Sequence, residues 1–117
     1  MRYEDPQWRP HHQAEAILAE GEESAVCETL IAAALYDDDA AWIESWCARL
    51  AGSSSPSVRG AAAICLGHVA RRFRSIHGDS LELLRELGLD DDDYVRGQAQ
   101  DALEDVEMFA SDGMDRG

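Results

Sequence analysis

Four histidines, three cysteines and two runs of aspartate are the residues of this chain whose types suit chemistry. Catalysis needs such groups to converge, as a nucleophile beside a base or as three ligands around a metal. His11 and His12 are adjacent near a terminus expected to fray, which is poor geometry for a single metal. His68 falls on the flank of a helical stripe, where a hydrogen-bonded packing role is expected. His77 precedes Gly78, and a basic residue at a helix C-terminus suits the helix dipole. Cys27, Cys47 and Cys65 are odd in number, lack CxxC spacing and lie among apolar residues. They read as small core residues. No GxSxG, HExxH, P-loop or GxGxxG motif is present. The expectation is a protein without a catalytic centre, metal site or cofactor.

The acidic runs are Asp37, Asp38 and Asp39, and Asp90, Asp91, Asp92 and Asp93. An EF-hand loop needs oxygen ligands at positions 1, 3 and 5 and glycine at 6. Counted from Asp90, position 5 is Tyr94 and position 6 is Val95, so that reading fails. Each run reads as a helix cap within a solvated acidic loop. Tyr36 and Tyr94 flank these loops, where a half-buried ring either anchors a partner or seals a repeat edge. Trp42 and Trp46 lie one turn apart, with Trp46 expected in the core and Trp42 nearer the rim.

A chain of 117 residues makes one domain. It is 45% hydrophobic and only 7% aromatic, with 18 alanines, which favours close-packed helices over sheets. Lysine and asparagine are absent, a bias expected of a GC-rich bacterial genome. The net charge of −14 would repel phosphate and anionic lipid, so neither nucleic acid nor membrane is an expected partner. No apolar run reaches the roughly 18–20 residues of a membrane span, and the N-terminus lacks a signal-peptide pattern. The expected location is the cytoplasm. Charge is uneven: residues 56–78 carry Arg59, Arg71, Arg72 and Arg74 with no acid, between two acidic ends. This basic island is expected to pair internally with neighbouring acids.

The chain repeats itself. VRGAAAICLGHV from Val58 and VRGQAQDALEDV from Val95 agree at six of twelve positions, at an offset of 37. Ser55-Pro56 supplies an N-cap with proline at the first helical position. Asp79 with Glu82 resembles a capping box, Asp39 and Asp92 or Asp93 can cap later helices, and Gly52, Gly78 and Gly88 sit where helices should stop. The result is all-α: six helices in three hairpins, over 11–36, 40–73 and 79–110. On the helix after Pro56, face counting puts Gly60, Ala63, Gly67, Arg71 and Arg74 outward. The last helix matches these with Gly97, Gln100, Glu104 and Glu107. Its flank of Gln98, Asp101 and Asp105 is polar where the previous repeat has Ala61, Ile64 and His68, as expected of a capping repeat that faces water.

These hairpins, with Val-Arg opening each second helix and Ala and Leu at 62, 66, 99 and 103, resemble HEAT repeats over about residues 40–109. The resemblance implies a short α-α superhelix in which Arg59 and Arg96 brace neighbouring loop acids. More narrowly, VRGAAAICLGHVAR, IHG at 76–78 and DALEDVEMF at 101–109 are similar to bacterial HEAT-like immunity proteins. These belong to contact-dependent growth inhibition and related polymorphic toxin systems. That resemblance implies a protein that binds and neutralises one cognate toxin domain, here a basic, nuclease-like one, by occluding its active site. The alternative is a HEAT-like scaffold joining cytosolic proteins. The residues expected to bind the partner are Tyr36, Asp37, Asp38, Asp39, Trp42, Asp90, Asp91, Asp92, Asp93, Tyr94, Glu104 and Glu107.

Overall fold

The computed structural model describes residues 10–110. They form α1 (His11–Glu20), α2 (Glu23–Tyr36), α3 (Ala40–Leu50), α4 (Pro56–Phe73), α5 (Gly78–Leu87) and α6 (Asp93–Phe109). The chain is thus all-α, a helical repeat fold. The first helices of the pairs form one layer and α2, α4 and α6 the other, with α4 packed against α2, α3, α5 and α6. Among the described residues, no helix is long and apolar enough to cross a membrane.

Local chemistry starts the helices. Ser55 accepts the Val58 N–H at 3.3 Å, ahead of Pro56 at N1. Asp39 accepts the Trp42 N–H and Asp92 the Val95 N–H. The third pair starts differently from the expectation. Asp79 lies inside the first turn of α5, and the cap is His77, whose Nδ1 accepts the Asp79 N–H at 3.1 Å. His77 therefore opens a helix rather than closing one, and Gly78 is its first residue rather than a stop. The reason lies upstream. α4 already ends at Phe73, with Arg74 in the left-handed region at φ 58°. That conformation costs a non-glycine residue roughly 1–2 kcal/mol. Fully buried Ile76 anchors the short connection, and the Arg74 guanidinium rests over the Phe109 ring.

Small residues set the interlayer distances. Gly60, Ala63 and Gly67 are buried, contrary to the outward placement expected for them. A Cβ on Gly60 would lie 2.3 Å from the Tyr94 ring, and one on Gly67 would lie 3.2 Å from Ala102 Cβ. This stripe is the seam with α6. The less covered stripe of α4 is one residue further round, at Ile64 and His68, which are half-buried. One residue is 100° on a helix, enough to exchange seam and surface. The matching stripe on α6 stays open: Gln100, Glu104 and Glu107 are exposed, and nothing lies within 4 Å of a Cβ on Gly97. Asp105, expected to face water, turns instead to α4 and meets Arg71 at 3.1 Å.

Candidate protein-binding surfaces

Both acidic loops are built by one device, an aspartate whose Oδ1 accepts the N–H two residues on, where a second aspartate caps the next helix. In the first loop Asp37 accepts from Asp39 at 2.7 Å. In the second, Asp90 accepts from Asp92 at 2.9 Å. The free oxygen of each then takes a cationic or polarised partner from elsewhere. Asp37 Oδ2 meets His11 Nε2 at 2.8 Å, and Asp90 Oδ2 accepts from Arg59 Nε at 3.0 Å. The guanidinium beside Asp90, helped by the Asp92 N–H, holds its carboxyl below the usual range, and Arg59 is raised in return.

Arginines also hold the loop backbones. Arg72 donates to the carbonyls of Ala34 and Asp37 at 2.8 and 2.7 Å. Arg96 donates to the carbonyls of Asp90 and Asp91 and pairs with Asp93. The basic island does pair with neighbouring acids: Arg59 with Asp90, Arg71 with Asp105 and Arg72 with Asp38. Arg59 and Arg72 stand 13 residues apart on α4, a rise of about 20 Å, so the two loops are held from opposite ends of that helix.

The sequence-derived binding residues therefore divide. Asp37 is buried and Asp90 nearly so, while Asp39 and Asp92 cap helices. Asp38, Asp91 and Asp93 face solvent, as do Glu104 and Glu107. Tyr36 and Tyr94 are about half exposed, at 46% and 49%. Trp46 is core, and Trp42 is half-buried beneath a parallel His11 ring at 3.8 Å, its Nε1 donating to Glu15. His11, read from sequence as part of a fraying end, ties α1 to both Asp37 and α3.

Nucleophilic chemistry finds no support in the thiols. Burial raises Cys47 and Cys27, the latter helped by Glu23 and Glu28, which favours the unreactive thiol. Burial, then Arg71, lowers the half-buried His68, with Asp105 opposing, so its neutral form is favoured. No group of three or more His, Cys, Asp or Glu among the described residues is arranged to hold a metal ion.

Sequence reading missed one surface. A groove of about 440 Å³ opens between α3 and the start of α5, walled by Ala41, Ala48 and Leu83. Glu44 lies in it, 7% exposed, with Oε1 accepting the His77 N–H at 3.0 Å and the Ser80 hydroxyl at 2.6 Å. Glu44 thereby caps α5 from α3. The available signal was the spacing Ala41, Ser45, Ala48, a stripe of small residues on a first helix.

The paired helices, the register of 37 and the α4-to-α6 arginine braces agree with a sequence comparison in which residues 14–104 match the family model for HEAT repeats. The chain belongs to the HEAT repeat family. As a HEAT repeat protein it is also similar to a chain in the crystal structure of a CDI complex from Cupriavidus taiwanensis LMG 19424. The two are 33% identical, and the match covers 93% of this chain and 97% of that one with a TM-score of 0.75. Comparison with curated proteins gave no match.

Proposed function

We propose that this HEAT repeat protein is an immunity protein, which binds a cognate toxin domain and neutralises it by covering the toxin's active site. The observation that carries the reading is the likeness, over nearly the whole of both chains, to a component of a CDI complex. CDI is read here as contact-dependent growth inhibition. The molecule's chemistry supports binding rather than catalysis, since His77 caps a helix, His11 stacks on Trp42, His68 is half-buried and two of the thiols are raised by burial. A net charge of −14 suits a basic partner. A nuclease must attract phosphate, so its active site is positive, and an acidic inhibitor gains both complementarity and steered association. The docking area we assign is the open face of α6 with its leading edge: Asp91, Asp93, Tyr94, Glu104 and Glu107. Asp38 and Tyr36 offer a second contact at the opposite edge.

The test is affinity capture with the tagged chain from cells that make it, with bound proteins identified by mass spectrometry. One near-stoichiometric basic domain of a large surface protein is the expected result. Its nuclease activity, assayed with and without the chain, then reads neutralisation directly. Several substoichiometric cytosolic partners would replace this reading with that of a scaffold.

A further inference from the structure

We propose that Gly97, on the open face of α6, seats an aromatic side chain of the protein partner, one flanked on that partner by basic residues. The inference deepens the binding reading above and rests on it. It starts from a glycine that the fold does not use. Gly97 lies inside α6, and no glycine among the described residues has a positive φ. Nothing among those residues lies within 4 Å of a Cβ placed on it. Glycine is the poorest helix former after proline, and neither a turn nor a close neighbour requires one here.

The chain itself shows what such a glycine receives. Gly97 stands 37 residues after Gly60, at the same place in the repeated Val-Arg-Gly. Gly60 is covered by the next helix of the layer, where a Cβ would lie 2.3 Å from the Tyr94 ring. The missing Cβ lets that ring lie against helix backbone. α6 is the last described helix, so the equivalent seat at Gly97 faces outward. Its surroundings differ from those on α4. Ala63 and Gly67 are replaced along α6 by Gln100 and Glu104, both exposed. At Gly67 a Cβ would already lie 3.3 Å from the Ala102 backbone, so Glu104 in that place resists a further repeat packed in the same way. The ring seat is present without the rest of the seam, which fits one inserted side chain rather than another stacked hairpin.

Charge selects what flanks the ring. Asp101 follows Gly97 by one turn, and Glu104 and Glu107 continue the exposed face. None of the three takes part in an ion pair among the described residues. Arg96, the single base of α6, is held by Asp93 and by the carbonyls of Asp90 and Asp91. The carboxylates beside the seat are therefore open to arginine or lysine on either side of the incoming ring. An aromatic anchor suits this setting because it joins a flat apolar face to a polar edge, and Tyr94 on Gly60 is the working precedent.

The experiment is an NMR titration of the isotope-labelled full chain with acetyl-Arg-Tyr-Arg amide, using the Arg-Ala-Arg and Glu-Tyr-Glu peptides as controls. A ring held against glycine moves its Hα signals upfield. Gly60 should show that shift in the free chain, and Gly97 only when Arg-Tyr-Arg is added. Gly97→Gln fills the seat without changing charge. It should abolish the peptide response, leave the unfolding midpoint unchanged or raised, and weaken partner binding at least tenfold, with Gly97→Ala intermediate. No shift at Gly97, equal shifts with either control, or a lowered midpoint in Gly97→Ala would each overturn the proposal, the last by showing that the fold itself needs the glycine. Unimpaired partner capture by Gly97→Gln would also overturn it and leave the immunity reading intact. Failure of the unaltered chain to capture any partner would remove that reading, and with it a ring supplied by a partner.

Discussion

Arg59 and Asp90 meet through two parallel hydrogen bonds, Nε to Oδ2 at 3.0 Å and one terminal nitrogen to Oδ1 at 2.9 Å. This forked pair joins the second hairpin to the loop of the third, and Arg59 also donates to the Ser53 carbonyl. Its consequence for pH follows from the lowered Asp90. In the unfolded chain that carboxyl titrates near pH 4, roughly. The folded value is lower, so folding favours the ionised form, and the stabilisation is complete above that pH and lost as pH falls through the folded value. Arg59→Ala should lower the urea midpoint at pH 7, and the gap from the unaltered protein should narrow below about pH 4. A gap constant from pH 7 to pH 3 would show that the ion pair is not its source.

Gly60 and the Tyr94 ring compete for one space. Gly60→Ala should destabilise the protein by about 1 kcal/mol, because overpacking outweighs the gain in helix propensity. On a Tyr94→Ala background the same change should stabilise by about 0.5–1 kcal/mol, the propensity gain alone. Chemical denaturation of the four variants reads the change of sign, and equal effects on both backgrounds would refute the contact.

Glu44 supplies the acceptor for two donors at the start of α5. Its replacement by alanine should cost about 1–3 kcal/mol, the penalty for leaving buried donors unmet. Glu44→Gln keeps an acceptor oxygen and should recover part of the loss. Urea midpoints check both, and identical losses would mean that the charge rather than the hydrogen bonds matters.

His11 ties α1 to Asp37 by a hydrogen bond and to Trp42 by a ring stack. Amide exchange in α1 should accelerate in His11→Ala while exchange in α4 keeps its rate. Uniform acceleration would instead make α1 part of the global folding unit.

Charge on the open face of α6 should act mainly on association. Glu104→Lys with Glu107→Lys should slow binding of the captured protein partner roughly tenfold at low salt and much less at high salt, with dissociation little changed. An unchanged association rate would move the docking area away from α6.

The repeat was legible because Val-Arg-Gly recurs with its arginines doing related work: Arg59 grips Asp90 across repeats, and Arg96 grips the backbone of the same loop. The caps Ser55, Asp39 and Asp92 were legible because capping is local. The α4 seam was not. Ala63 and Gly67 differ from half-buried Ile64 and His68 by one helical step, and only packing of α6 decides which pair is sealed. His77 was misplaced because the end of α4 is set by Arg74 in a left-handed conformation, without the glycine that announces such ends. The groove had only a partial signal, the small residues Ala41, Ser45 and Ala48 on α3, which does not say what lies opposite. It arises between α3 and the start of α5, whose lining residues Ser45 and Ser80 are brought to one groove only in the folded stack. Of the candidate binding residues, sequence could not separate Asp37 and Asp90 from Asp38 and Asp91, since neighbours of one residue type differ in burial within each run.

That difference separates shape from display. Arg72 and Arg96 clasp main-chain oxygens, which every amino acid carries, whereas Asp38 and Asp93 meet the same arginines only through side chains 97% and 91% exposed, and Asp91 faces solvent. Each loop is therefore a rigid mount with interchangeable tips. A library randomised at 38, 91 and 93 alone should yield folded molecules throughout, differing in what they recognise rather than in whether they stand.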